Sequence, residues 1–209
     1  MRLLSIEGPI YPLMVRFWDL VKLNFIWLLF SIPVVTIGAS TVAAYTVTLK
    51  MVSDEESPHI FGEFFKGFKE NWKQGLPLGL IHLLVLYSFY LNLEFFTKLE
   101  DASVMFLIAA MVIGFIGLLY LTYTFPLCAR YHNSFFGILK NSANIAMKYF
   151  FTTLILWLLL GLLMFLFLYN STLLLIGLLI GPACMFLTVS GFAMKLFKEI
   201  EKANGQQVE

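Results

Sequence analysis

Five long apolar stretches, separated by short charged segments, dominate this sequence. A helix needs about 20 predominantly apolar residues to cross the hydrocarbon core of a bilayer. The stretches reach that length and cover residues 18–49, 76–96, 104–127, 149–169 and 172–194. Because lipid offers no hydrogen bonds to an exposed backbone, helices and closed barrels are the structures that span it. The pattern predicts an all-α fold, a polytopic bundle of five or six transmembrane helices in contact with the lipid bilayer.

Composition narrows the class of function. Of the 209 residues, 60% are hydrophobic and 13% are charged, against about 25% charged in a soluble domain. The net charge is +1, so no basic field favours nucleic acid as a partner. The sequence contains no nucleophile-elbow, phosphate-loop or zinc-peptidase motif. We therefore predict a single membrane domain over 1–209 that is not an enzyme and has no catalytic, cofactor-binding or metal-binding residues.

The distribution of lysine and arginine predicts the orientation. These residues concentrate in short loops on the cytoplasmic side of a membrane protein. Here they concentrate in 51–75, in 129–148 and in a predicted tail at 195–209. The segment 97–103 balances one lysine with two acids, and 170–172 is uncharged. We therefore expect a multi-pass protein with its C-terminus in the cytoplasm, and the basic residues near the N-terminus favour the same side for that end.

The first membrane element, residues 14–50, is interrupted at Pro33. A proline removes a backbone donor and clashes with the preceding turn of a helix. Two half-spans joined near Pro33 would form a hairpin with both ends on the cytoplasmic side. A single tilted, kinked helix with the N-terminus outside is the alternative. Thr36, Gly38 and Ser40 follow the break and, with Pro33, are candidate functional or structural residues.

Two predicted cytoplasmic segments, 58–75 and 133–148, have the pattern of amphipathic helices. The first has an aromatic face and a charged face, and its candidate residues are Phe65, Lys66, Phe68, Trp72 and Lys73. We expect it to end at Gly75 and Pro77. The second contains the candidate Asn141. Each segment either offers a docking surface to a partner or lies in the interface and sets the depth of the next span.

Two ionisable side chains near or inside the predicted spans are further candidates, since charged groups are costly in lipid. His82 lies about two turns into 76–96. It would either line a cavity and titrate near neutral pH or be a neutral imidazole bonded to a neighbouring helix. Arg130 follows 104–127. It would either reach lipid phosphate or be a buried clamp to an amphipathic helix.

Three stretches resemble the YesL-like family of small bacterial membrane proteins, which is catalogued as a domain of unknown function. They are FSIPVVTIGAST at 30–41, FFKGFKENWKQ at 64–74, and FPLCARY at 125–131 followed by LKNS at 139–142. These are similar to the family's proline-threonine-glycine break, its aromatic-lysine helix and its proline-to-arginine element. The resemblance covers nearly the whole chain. Ala39 departs from it, because many relatives carry proline at that position.

The resemblance implies a location and a role, although it implies no molecular activity. Family members are typically encoded among carbohydrate importers and glycan-degrading enzymes. This implies a protein of the bacterial plasma membrane that is accessory to carbohydrate uptake, as a partner of a sugar importer permease. The alternative is a small transporter or channel in its own right, with His82, the Pro33 break and the polar patch at Tyr120–Thr124 on a polar path. The ligand and the oligomeric state stay open.

Overall fold

The fold consists of helices throughout the part of the chain that the structure describes. The structure is a computed structural model, and it describes residues 10–53, 59–98, 104–203 and 205. The predicted all-α class is confirmed, and five segments have the length and apolar composition of membrane spans. The described elements are α1 (Ile10–Ser31), a 3-10 turn (Val34–Thr36), α2 (Ile37–Val52), α3 (Ile60–Lys98), α4 (Val104–Leu121), α5 (Thr124–Arg130), α6 (Phe135–Lys148), α7 (Phe150–Leu168) and α8 (Ser171–Ala203).

The break at Pro33 separates two helices that pack against each other as a hairpin. Arg16 Nη1 donates to the carbonyl of Met51 over 2.7 Å, and Trp27 Nε1 donates to Thr41 Oγ1 over 3.2 Å. From the first contact to the second, the residue number rises from 16 to 27 in α1 and falls from 51 to 41 in α2. The two helices therefore run in opposite directions. The local geometry is therefore the predicted hairpin, and the alternative of one kinked helix is wrong.

The boundaries predicted for the next element are wrong. The amphipathic helix predicted over 58–75 and the span predicted over 76–96 form one helix of 39 residues, α3. The predicted end at Gly75 therefore does not exist, and the predicted start lies outside the described residues. Pro77 lies inside α3 and leaves the carbonyl of Lys73 without its usual helical donor. The helix continues through this defect because α2 packs directly on it, against Gly75 and Gly79.

The span predicted over 104–127 is divided into α4 and α5 by a turn at Thr122 and Tyr123. Tyr123 is fully buried, its backbone N–H donates to Ser142 Oγ over 3.1 Å, and its hydroxyl lies 3.1 Å from Thr153 Oγ1. These bonds replace those that an unbroken helix would make. Pro126 falls in the first turn of α5, where a helix has no use for the missing N–H.

The later boundaries are closer to prediction, except at the end of α8. The helices α6 and α7 fall within a residue or two of the predicted 133–148 and 149–169, and Ser134 Oγ caps α6 by accepting from the N–H of Gly137. The tail predicted from 195 onwards is helical as far as Ala203. Its apolar residues keep helical spacing, and Leu196 and Phe197 are buried in the core. This burial holds the last turns of α8 in place.

The core surrounds α2, which packs against α1, α3, α5 and α8. Most of its side chains are buried, among them Val42, Ala43 and Val47. By contrast, α4 and α7 expose large apolar residues over most of their length, such as Ile113 (70%) and Leu158 (70%). Exposed apolar surface on this scale is costly in water. These faces therefore suit contact with lipid or with the helices of another membrane protein.

A polar contact between α1 and α8 compensates for a proline. Pro182 lies inside α8, so the carbonyl of Leu178 lacks the donor four residues later. Asn24 of α1 is 2% exposed, and its Nδ2 donates to the carbonyls of Leu178 and Leu179 over 2.9 Å each. Asn24 thus satisfies the carbonyl that Pro182 leaves free, and it joins the hairpin to the last helix.

This pairing makes the effect of Asn24 depend on Pro182. Asn24→Leu should lower the free energy of unfolding by about 1 kcal/mol, as expected for an interhelical hydrogen bond in a membrane protein. In a Pro182→Ala background the same change should cost less, because the alanine N–H can bond the carbonyl of Leu178. Chemical unfolding of the four proteins in one detergent measures both values. Equal costs in the two backgrounds would contradict the compensation.

Candidate functional site

The hydroxyl groups that follow the Pro33 break bond to backbone carbonyls on both sides of it. Thr36 Oγ1 donates to the carbonyl of Phe30 over 2.6 Å and to that of Pro33 over 2.8 Å. Ser40 Oγ is buried, lies 2.8 Å from Ser31 Oγ, and donates to the carbonyl of Thr36 over 3.0 Å. Irregular backbone at membrane depth needs such internal partners. These hydrogen bonds of Thr36 and Ser40 therefore stabilise the turn of the hairpin.

Gly38 lies where α2 crosses α3. A Cβ atom added to it would be 2.6 Å from the Cα of Gly79 and closer still to the carbonyl oxygen of Gly75. Both neighbours are backbone atoms, so no side-chain rotation would relieve the clash. Close backbone approach through small residues is the usual way in which membrane helices pack tightly. Gly38 is thus a packing residue of the crossing.

The hairpin covers part of the aromatic face in the N-terminal region of α3. The Phe30 ring of α1 contacts those of Phe64, Phe65 and Phe68 edge to face, with centroids 5.2–5.6 Å apart. Phe64 is fully buried by this cluster. The predicted candidates of this region that stay exposed are Phe65, Lys66, Trp72 and Lys73. Part of the face predicted as a docking surface, at Phe64 and Phe68, is therefore an internal contact, while Phe65 (50%) and Trp72 (46%) remain exposed on it.

His82 is engaged within the protein. Its Nδ1 lies 2.8 Å from the carbonyl of Leu78 on its own helix, and its Nε2 lies 3.5 Å from Thr124 Oγ1. Its ring stacks on that of Phe125 with a centroid distance of 4.2 Å. These contacts resemble the predicted alternative of an imidazole satisfied by neighbouring groups, although the carbonyl belongs to α3 itself.

Arg130 forms a partly buried ion pair with the end of α8. Its Nη2 lies 3.1 Å and 3.2 Å from the two carboxylate oxygens of Glu201, and its Nε donates to Oε1 over 3.2 Å. The side chains are 22% and 10% exposed. The predicted clamp to an amphipathic helix is therefore wrong in its partner. Glu201 lies in the segment predicted to be a cytoplasmic tail, and no sequence pattern indicated that it would be in the protein interior.

Tyr131 completes this group, which we call the Arg130 cluster (Arg130, Tyr131 and Glu201). The Tyr131 hydroxyl donates to Glu201 Oε1. Burial raises the pKa of Tyr131 to about 12, and the hydrogen bond to the carboxylate acts in the same direction. The phenol consequently stays protonated near neutral pH and remains a donor. The cluster fixes the connection between α5 and α6 against α8.

A pocket of about 320 Å³ opens beside the Arg130 cluster. Its floor is apolar and includes Leu127, Ile145 and Phe197, and Asn141 lies on its wall. We call it the polar pocket, because its lining also includes Tyr131, Asn133, Asn141, Asn144, Lys148 and Glu201. The pocket thus brings the candidate Asn141 together with Glu201 and with two further asparagines. The spacing of Asn141, Asn144 and Lys148 on one helical face was the available sequence signal for it.

A second depression, the α3–α4 groove, has a volume of about 620 Å³. Its wall on α4 consists largely of small residues: Ala109, Ala110, Gly114 and Gly117. The wall on α3 is apolar except for Ser88 and Asn92. Side chains around it, such as Leu84 and Ile113, are more than half exposed. The groove therefore lies on the outer surface of the protein, where lipid or a helix of a partner could occupy it.

The fold and these sites define a helical membrane protein whose polar groups support its packing and whose candidate binding surfaces are one pocket and one groove. Among the described residues, no group of three or more potential metal ligands lies together. Residues 20–93 match the model of a family described as "Protein of unknown function, DUF624". The match covers the second half of α1, all of α2 and most of α3, and it agrees with the predicted resemblance to a family of unknown function. Neither the curated proteins nor the solved structures give a significant match.

Proposed function

We propose that this chain is an integral protein of the bacterial plasma membrane that assists carbohydrate uptake as an accessory partner of a sugar importer permease. Its role in this proposal is binding rather than catalysis. The family resemblance supplies the link to sugar uptake. The α3–α4 groove supplies the main structural support, because it is a membrane-facing surface with the shape and composition to receive a helix.

The composition of the groove favours a helix of another protein. Small residues at membrane interfaces let two helices approach until their backbones are nearly in contact. Ala109, Ala110 and Gly117 provide such a surface on α4. Ser88 and Asn92 are polar groups at the same surface, and polar side chains form hydrogen bonds across helices in lipid. A permease helix would match this combination of small and polar positions.

The polar groups that a transporter would need are already engaged. His82 is bonded to Leu78 and stacked on Phe125. In the polar patch at Tyr120–Thr124, Thr122 Oγ1 donates to the carbonyl of Leu118 and Thr124 Oγ1 to that of Leu121, each over 2.7 Å. These local bonds leave few groups to coordinate a moving substrate. They favour the accessory role over a transporter or channel.

The proposed orientation has both termini in the cytoplasm. Lys50 pairs with Glu63 over 2.7 Å, and Arg16 bonds to the carbonyl of Met51. These basic residues belong to the same end of the hairpin, as the rule for cytoplasmic loops requires. Reaction of a cysteine placed at Lys202 with an impermeant thiol reagent in intact cells would contradict this orientation.

Filling the groove should release the permease. Ala109→Phe adds an aromatic ring to an exposed position on the groove wall, and Ile108→Phe places the same ring one residue away, outside the groove. We expect roughly tenfold less permease to co-purify with Ala109→Phe from native membranes, a loss of about 1.4 kcal/mol in binding. Ile108→Phe should retain it. Equal recovery with both variants, or no permease with the unmodified protein, would count against the proposal.

A further inference from the structure

We propose that the polar pocket beside the Arg130 cluster binds a small organic anion that carries hydroxyl groups, in the class of phosphate esters. Three features support this assignment: a lysine that pairs with no described carboxylate, three carboxamides that bond to no other described residue, and apolar side chains in the lining. The inference is independent of the permease proposal, because the pocket and the α3–α4 groove share no residue.

The pocket lining contains one lysine, Lys148, and one carboxylate, Glu201, and that carboxylate is paired with Arg130 outside the lining. Glu201 is already neutralised, since both of its oxygens accept hydrogen bonds from Arg130 and one accepts from Tyr131. Lys148 is exposed on the wall and lies 5.2 Å from the ring centroid of Tyr149. No carboxylate pairs with Lys148 within the described part of the chain. Its ammonium group is therefore available to an anion, and lysine is a common phosphate ligand.

The carboxamides of the pocket match hydroxyl groups. Each asparagine amide offers two donor hydrogens and one acceptor oxygen, while a hydroxyl both donates and accepts. The side chains of Asn133, Asn141 and Asn144 make no hydrogen bond to another described residue. Asn141, Asn144 and Lys148 follow one another on the same face of α6. A ligand would thus meet two amides and the charge in sequence along one helix.

The size and floor of the pocket agree with a small molecule rather than a bare ion. Its volume of about 320 Å³ lies at the lower end of the range for small-molecule sites. Leu127, Ile145 and Phe197 would cover the carbon atoms of the ligand. Two sources supply this chemistry: a soluble phosphate ester, or the headgroup of an anionic lipid such as phosphatidylglycerol.

Binding to the purified full-length protein distinguishes these sources. For the soluble source, the probe is glycerol 3-phosphate, titrated by calorimetry. For the lipid source, the probe is phosphatidylglycerol in nanodiscs, with phosphatidylcholine nanodiscs as the reference, and retained lipid is counted by native mass spectrometry. Lys148→Met should weaken binding of the preferred probe roughly tenfold. Asn144→Leu should also weaken binding of that probe.

Lys140→Met is the matched control, because Lys140 is an exposed lysine of α6 that does not line the pocket. It should bind like the unmodified protein, and circular dichroism should show the same helix content in every variant. Loss of either probe in Lys148→Met but not in Lys140→Met supports the proposal and identifies the source. The proposal is overturned if the unmodified protein binds neither probe, or if both lysine variants lose binding equally.

Discussion

Gly38→Ala should destabilise the protein by about 3 kcal/mol, although it adds only one methyl group. The new Cβ would lie 2.6 Å from the Cα of Gly79, and the carbonyl oxygen of Gly75 is closer still. Because these atoms belong to the α3 backbone, relief requires the two helices to move apart. That movement would also loosen the core around α2. Chemical unfolding in detergent, followed by circular dichroism, measures the loss.

Gly161→Ala provides the control for this prediction. Gly161 lies in the middle of α7, and a Cβ added there meets no atom within 4 Å. Alanine also has the higher helix propensity, so this variant should be at least as stable as the unmodified protein. If Gly38→Ala were as stable as Gly161→Ala, the close crossing of α2 and α3 would be refuted.

Breaking the Arg130–Glu201 pair should have an effect of similar size. Arg130→Gln leaves the carboxylate of Glu201 without its cation at a position where the side chain is 10% exposed. Removal of one partner of a buried pair typically costs about 3–5 kcal/mol. We expect a cost of about 3 kcal/mol, since the Arg130 side chain keeps some contact with solvent. The same unfolding experiment measures it.

A double-mutant cycle separates the pair from other effects. Glu201→Gln should also destabilise the protein, and the Arg130→Gln, Glu201→Gln protein should lose less than the sum of the two. The more exposed pair Lys50–Glu63, with side chains 33% and 24% exposed, is the comparison. Lys50→Gln should cost about 1 kcal/mol or less. Additive losses at Arg130 and Glu201 would show that their side chains act independently.

The sequence predicts the helical class and the hairpin because both depend on local properties. Apolar length determines which segments suit a membrane, and Pro33 ends α1 by its own stereochemistry. Pro77 has the same chemistry, yet α3 continues through it. The difference is the tertiary contact of α2 with Gly75 and Gly79, which no local pattern reports. Propensity is overridden where packing supplies the missing stability.

The candidate sites depend still more on distant contacts. Arg130 and Glu201 are 71 residues apart in sequence, and Asn24 and Leu178 are 154 apart. The sequence indicates that Arg130 is a charged group at the end of a predicted span, where burial in lipid is costly. It does not identify Glu201 as the partner of Arg130 in the ion pair. The hydrogen bonds of Thr36 and Ser40 give these residues a structural role. A functional role for them stays a prediction. The polar pocket required the tertiary fold to bring α6 and α8 together.

Photo-crosslinking from the α3–α4 groove in native membranes tests the proposed function most directly. A photoreactive amino acid replaces Ala109 in the groove or, as the reference, Ile108 outside it. The permease proposal predicts an adduct between position 109 and a subunit of a sugar importer, with much less from position 108. Adducts from position 109 that contain only lipid or a second copy of this chain would contradict it.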